Sequence, residues 1–553
     1  MARGLTGGAA PPDGAAPLLV VGRIHTMDPA RPRAEAMLVA DGRVAATGGL
    51  AELRAAAPPG TGEVEALGAV VPGFLDSHLH TLTVGVERRR LVIAEAGSIP
   101  EVCERIGAWL AERPGLDWAV VGAHFHAEDL AEGRLPDRYD LDKVTGDTAV
   151  VLDRRTHDAI ANSAALRRAG VDAHTPDPAG GHIERDRHGV PTGILIERPA
   201  ADLVMGHVPA LGPGDLRAAL AEAQPYLHSL GITSATEPGL VPDELRVYRE
   251  AAAEGWLTLR TMGMPLARAG VPLADLLDWP GGDSGRLTRG PLKIYLDGAG
   301  GFGTALISRP WPGRDGAYHG NLTCPEDAFA ALVAGCAERG HSVAVHAVGD
   351  AAVTLALDHF ERVDARHPVA PLRFSIMHSY LWPSSADMAR AARLGVLLSS
   401  QPSMQWRVGA GIADQFGDGV PLAPLRDWLD AGVTVAGGSD GPDFPMAPLF
   451  GMWQARGRRV RGRPEPLGPE QAVTAAEALE MYTTSAAYYC FAEHERGRLA
   501  PGYLADWAEL PVDPLAATVA ELGEAAGRPV PRTVVGGRVV HGPDFQYERG
   551  CLG

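Results

Sequence analysis

The stretch VVPGFLDSHLHT, residues 70–81, opens as an apolar run, breaks at Pro72 and Gly73, and ends on two histidines one residue apart. Successive residues of a strand point to opposite faces, so His78 and His80 project together with Leu79 opposing them. Two imidazoles at the end of an apolar strand can reach one cation, because neutral histidine is a common metal ligand. The pair reads as metal chemistry if the rest of the chain supplies partners in equivalent places.

Seven further runs of this kind follow: ITSATEPG from Ile232, LTLRTMGMP from Leu257, LKIYLDG from Leu292, SVAVHAVGD from Ser342, LRFSIMHS from Leu372, VLLSSQP from Val396 and VTVAGGSD from Val433. Several end in Gly, Pro, Asp or His, as strands do on entering loops. Helix-like segments lie between most of them, such as PEDAFAALVAGCAERG from Pro325 to Gly340, with Pro and acids at its start and Gly at its stop. Strands alternating with helices imply a parallel sheet, and eight such units predict an α/β fold with a (β/α)8 TIM barrel. Roughly 150 residues separate the first run from the second, too many for a connecting loop. They contain strands of their own and predict an inserted subdomain, about 84–225, placed to border a barrel active site. The two chain ends also match in character. PLLVVGRIHTMD and AEAMLVADGRVAATG turn at Asp41–Gly42, and PRTVVGGRVVHG turns at Gly536–Gly537. Residues 1–70 and 496–553 are therefore expected to build one small β-sandwich domain around a barrel spanning 71–495.

The partners that the histidine pair requires are present. His346 lies near the end of the fifth run, His378 near the end of the sixth, and Asp440 ends the eighth. Active sites of barrels are built at these C-terminal strand ends. Lys293 sits on the fourth apolar run, where an inward, unpaired ammonium is costly. A lysine carboxylated by CO2 would instead be an anionic ligand able to bridge two cations. Asp297 shares its strand face and competes for that inward position. His124, His126, His157, Gln401 and Trp406 are further candidates for contact with substrate.

These residues together resemble the amidohydrolase superfamily, metal-dependent hydrolases on a (β/α)8 barrel, and the resemblance covers nearly the whole chain. PGFLDSHLH is similar to the superfamily's first-strand signature, and HAVGD and GSDGP to its fifth- and eighth-strand motifs. THDAIANSAAL, PTGILIE, GITSATEPG, KIYLDG, YTTSAAY and GRLAPGYLADW resemble the YtcJ-like branch, amidohydrolase family 3. The resemblance implies that His78 and His80 bind the more buried cation and that His346 and His378 bind a second. It implies that Lys293, as N6-carboxylysine, bridges the two. Asp440 would ligate the first cation and act as the catalytic proton shuttle. Two zinc ions are the first expectation, with manganese, iron, cobalt or nickel as alternatives. The implied reaction is hydrolysis of a carbon–nitrogen bond in an N-acyl or N-formyl amine or a cyclic amide. GAGGFGTALIS after Asp297 and Ser379–Tyr380 after His378 depart from the branch's usual residues at the substrate pocket. A homodimer is expected from the resemblance alone. The competing readings are a mononuclear deaminase or non-hydrolytic isomerase on the same fold, and a catalytically silent binding protein.

Composition narrows the surroundings. Of 553 residues, 46% are hydrophobic and 21% charged, as in a globular protein, and a formal charge of −18 disfavours nucleic acid or anionic membrane as partners. Five cysteines without a CxxC pair predict neither a disulfide framework nor a cysteine metal site, and point to the cytoplasm. The small-residue stretch MARGLTGGAAPPDGAAP reads as a flexible lead and not as a signal peptide. The expected partner is a small-molecule substrate.

Overall fold

The computed structural model describes residues 17–544 apart from 94–95, 124, 126, 128–129, 155–157, 179–180, 197, 314–315 and 420–421. His124, His126 and His157 lie outside the described residues. The chain divides into two compact units. One is formed by the chain up to Thr81 together with Ala223 onward, the other by Leu82–Glu222.

All eight apolar runs of the first unit are strands: β1 (Phe74–Asp76), β2 (Ile232–Leu240), β3 (Arg260–Pro265), β4 (Leu292–Tyr295), β5 (Val343–Gly349), β6 (Ser375–Leu381), β7 (Leu397–Ser400) and β8 (Val435–Gly437). They form two sheets, β1–β2–β3 extended by Leu287–Arg289, and β4 to β8 in sequence order, and every pairing is parallel. Two seams relate the sheets. Leu266 bridges Lys293 in parallel, and Ala267 N–H donates to Lys293 O at 2.8 Å. At the other edge Ser77 N–H donates to Gly437 O at 3.0 Å, Asp440 N–H to His78 O at 2.7 Å, and His80 N–H to Gly441 O at 3.0 Å. The mixed α/β class is the one the alternation of runs predicts.

Alternation within the strands sorts their side chains. Phe74, Leu292, Ile294, Val343, Val345, Ile376, Leu398 and Val435 join one core with Phe329, Leu357, Phe360, Met388 and Trp428 from the covering helices. Their neighbours Leu75, Met262, Ala344, Met377, Leu397 and Ala436 pack together on the other face. Each large apolar side chain so buried contributes about 1.5–3 kcal/mol. Lys293 falls between Leu292 and Ile294, so it faces the second group and is 0% exposed. The helix predicted from Pro325 runs Glu326–Glu338, with Glu326 and Asp327 in its first turn.

The chain ends meet in an eight-stranded sheet. Trp507–Leu510 pairs antiparallel with Ala69–Pro72, and Leu18–His25 and Arg33–Ala40 continue outward. Asp41–Gly42 and Gly536–Gly537 are turns with positive φ at both positions, the geometry that selects these residues in tight hairpins. Where two facing sheets were expected, the direct Trp507–Pro72 pairing joins the strands of both ends into a single sheet.

The unit Leu82–Glu222 holds a six-stranded sheet with central strands Trp118–Ala123, Ala149–Asp153 and Ala159–Ala161. No helix among the described residues is long and apolar enough to cross a membrane.

Candidate metal centre

Strict alternation from Phe74 would send His78 and His80 to the helix-facing side. Instead β1 stops at Asp76 and the chain bends at Ser77–His78. The Asp76 carboxylate fixes the bend, accepting from His78 N–H at 3.0 Å and from Ser439 N–H at 3.1 Å. Both imidazoles then face Asp440, which follows β8 with φ +55°. Asp440 Oδ1 lies 3.3 Å from His78 Nε2 and 3.4 Å from His80 Nε2. Ligand atoms of the three residues all lie within 4.8 Å of one another. Burial pushes the Asp440 carboxyl up, but the imidazoles of His78, His80 and His378 outweigh it and hold the group well below its usual range.

His378 and His346 adjoin this group. The His378 ring centre is 4.8 Å from that of His78 and 4.5 Å from that of His346. His378 would also point outward by alternation, since Ile376 does and Met377 does not. A register shift between β5 and β6 and positive φ at His378 (+76°) and Ser379 (+44°) re-aim it. Non-glycine residues seldom adopt that backbone, which costs about 1–3 kcal/mol each and clusters at functional sites. Among the described residues Lys293 Nζ meets the Met377 sulfur, at 2.8 Å, and the Tyr295 ring, 4.8 Å from its centre. Burial brings its ammonium down to about 7.

The donor set fits a cation. His78 Nδ1 and His346 Nδ1 are buried without a hydrogen-bond partner among the described residues. A buried unpaired polar atom costs about 1–3 kcal/mol. Burial, assisted by the Lys293 charge, pulls His78 down to about 4 and His346 to about 3. Both imidazoles are thereby neutral, the form in which histidine coordinates a metal.

Comparison with known proteins assigns the chain. The description "Amidohydrolase family" matches residues 68–541. The chain belongs to the amidohydrolase family. As an amidohydrolase it is an enzyme that hydrolyses carbon–nitrogen bonds. It is 31% identical to YtcJ of Bacillus subtilis over 94% of this chain and 98% of that one. It is also 31% identical to N-substituted formamide deformylase of Arthrobacter pascens, over 92% of this chain and 95% of the deformylase. The fold is similar to that of a metal-dependent hydrolase from Pyrococcus horikoshii, with a TM-score of 0.74 at 24% identity over 91% and 99% of the two chains.

The remaining candidates of this amidohydrolase are less open to a substrate than their positions in the sequence suggest. The Asp297 carboxylate accepts three backbone N–H groups, from Leu306, Val348 and Gly349 at 2.9–3.0 Å, and so clamps loops together. Gln401 is buried against His378 and Ser399. Trp406 packs edge-on with Phe450 and Trp453. Sequence reasoning missed three residues of the centre. Asp76 holds the β1 bend. Tyr295, 40% exposed, sets its ring 5.1 Å from His346. Glu237 on β2 is buried, accepts from Tyr248 Oη at 2.5 Å, and is lifted to about 7 by burial. The signal for Tyr295 was available, since it alternates with Lys293 and Asp297. Asp76 carries no local signal for this role, because its partner Ser439 follows β8, far away in the sequence.

Proposed function

We propose that the two parallel sheets close as one (β/α)8 barrel and that its centre cleaves an N-formyl amine, N-acyl amine or cyclic amide with two divalent cations. Convergence of His78, His80 and Asp440 at one seam, with His346, His378 and Lys293 beside them, carries this reading. The seams at Leu266–Lys293 and Leu79–Gly441 support closure. The similarity to N-substituted formamide deformylase supports the substrate class. His78, His80 and Asp440 would hold one cation and His346 and His378 the other, with carboxylated Lys293 between them. Burial of Lys293 without a carboxylate partner at ion-pair distance among the described residues supports that modification, which removes the isolated ammonium. A divalent cation supplies an attacking water with its pKa lowered to about 7 and polarises the carbonyl to be cleaved.

The protein's own part is positioning and proton transfer. Asp440 Oδ1 is directed at the two imidazoles, which leaves Oδ2 to take the proton of the attacking water. The same oxygen returns that proton to the departing nitrogen, so one carboxylate acts first as base and then as acid. The buried walls exclude bulk water and strengthen these interactions.

Elemental analysis of protein loaded with Zn2+ and CO2, alongside a panel of N-formyl and N-acyl amines, tests the proposal. Two ions per chain and hydrolysis of a panel member are expected. One ion per chain would favour the mononuclear reading, for which the tight three-residue group of His78, His80 and Asp440 speaks. No bound ion in metal-replete protein would overturn both.

A further inference from the structure

We infer that Gln401 is a positioning residue, which fixes the tautomer of His378 so that Nε2 is the nitrogen offered to a cation. The inference rests on the metal reading of His378 given above. Gln401 follows β7 and is 2% exposed. One atom of its carboxamide lies 3.1 Å from the Ser399 backbone oxygen and 3.0 Å from Ser399 Oγ. A backbone carbonyl only accepts, so the atom facing it is the amide nitrogen. The opposite orientation would set two acceptor oxygens against each other in a buried place. The other carboxamide atom is therefore Oε1, which also only accepts, and it lies 2.8 Å from His378 Nδ1. Nδ1 must carry the hydrogen. A neutral imidazole has one N–H, so the lone pair resides on Nε2, which makes no hydrogen bond among the described residues.

The relay extends further. Ser399 Oγ pairs with Ser77 Oγ at 2.8 Å, and Ser77 lies between Asp76 and His78. Ser77, Ser399, Gln401 and His378 thus form one chain of contacts from the end of β1 through β7 to β6. Gln401 is the member whose two ends have opposite hydrogen-bond polarity, so it converts the fixed polarity of a backbone carbonyl into a fixed imidazole tautomer. Outer partners of metal-binding histidines act in this way and typically command 10–100-fold in affinity. His378 needs such a hold, because its backbone at φ +76° lies outside the regular strand conformation that would otherwise direct the ring.

The test uses the full-length protein and two variants, Gln401→Leu and Gln401→Glu. Leucine removes the acceptor at similar volume, and glutamate, protonated on the oxygen that faces Ser399 O, keeps an acceptor facing Nδ1. Metal-free wild type carrying 15N-labelled histidine is expected to show His378 as the Nδ1–H tautomer, assigned by its loss in His378→Gln. In Gln401→Leu that signature is expected to disappear, and one of the two Zn2+ sites to weaken about 10–100-fold against a chromophoric chelator. Gln401→Glu is expected to retain most of the affinity. An Nε2–H tautomer in wild type overturns the inference, as do tautomer and Zn2+ affinity unchanged in the leucine variant. Wild type that binds no Zn2+ sinks the metal reading instead, and the tautomer of the metal-free protein then still decides the role of Gln401.

Discussion

His78, His80 and Asp440 are joined by backbone hydrogen bonds across one seam, whereas Lys293, His346 and His378 lie on three separate strands and meet only through their side chains. At the β1–β8 seam the two histidines share hydrogen bonds with the strand of Asp440, and the Asp76 carboxylate ties the same two segments. That half holds its geometry through a carboxylate facing two imidazoles. In the other half Lys293 touches a thioether, His346 Nδ1 is unpartnered, and His378 sits on a left-handed residue held by Gln401. The first half is organised by the fold. The second carries buried polar atoms that the described residues leave weakly partnered, Lys293 Nζ and His346 Nδ1.

The sharpest division comes from Asp440→Asn. Turnover is expected to fall by roughly a thousandfold or more, since the amide cannot serve as base and acid. Thermal unfolding should change by only a few degrees, because the backbone bonds of the seam remain. Undiminished hydrolysis by the purified variant would remove Asp440 from the mechanism.

His228 is the control for a buried histidine with no such demand. Nδ1–H donates to Ile232 O at 2.8 Å, and Nε2 lies 2.9 Å from Thr258 Oγ1. Burial lowers it from 6.5 to about 4. The unfolded chain therefore binds its proton first as pH falls, and stability is lost between pH 6.5 and 4, by about 3 kcal/mol from this group. Denaturant unfolding of wild type and His228→Gln at pH 7 and pH 4.5 checks it. The gap between them should narrow on acidification, and a constant gap would show that His228 does not titrate as its burial requires.

Lys293→Met should move activity and stability in opposite directions. Turnover is expected to drop about a hundredfold or more, as even outer partners of ligands command up to that much. The metal-free protein should gain about 1 kcal/mol, because an unpaired buried ammonium is exchanged for an apolar chain. A loss of stability would place Lys293 with the backbone-organised half.

Asp76→Ala leaves the His78 and Ser439 N–H groups unmet and should cost about 1–3 kcal/mol of stability to denaturant. If the cost is nil, the claim that the Asp76 carboxylate ties the two segments of the first half is broken.

The same division governs what could be read from sequence. Strand existence was legible because apolar runs bounded by turn residues reflect burial, and His346 and Asp440 followed from their places at strand ends. His78 and His80 were found for a partly wrong reason. Alternation alone faces them outward, and the Asp76 bend redirects them. Gln401 was read as a substrate contact because its polarity was visible but its partners, Ser399 O and His378 Nδ1, depend on orientation. Trp406 was drawn to the centre by type, while its packing on Phe450 and Trp453 comes from a helix contact that no local pattern encodes. That both chain ends share a β-domain was read from their matching hairpins, but the direct Trp507–Pro72 pairing was not, since pairing across such separations leaves no periodic trace.

That sheet has a consequence for biosynthesis. Ala69–Pro72 is made before all eight barrel-type strands, yet its antiparallel partner Trp507–Leu510 is made only after them. At about 5–20 residues per second the early strand waits tens of seconds on the ribosome with one edge open. Until that partner arrives, this amidohydrolase carries an unpaired β-edge beside its histidine pair.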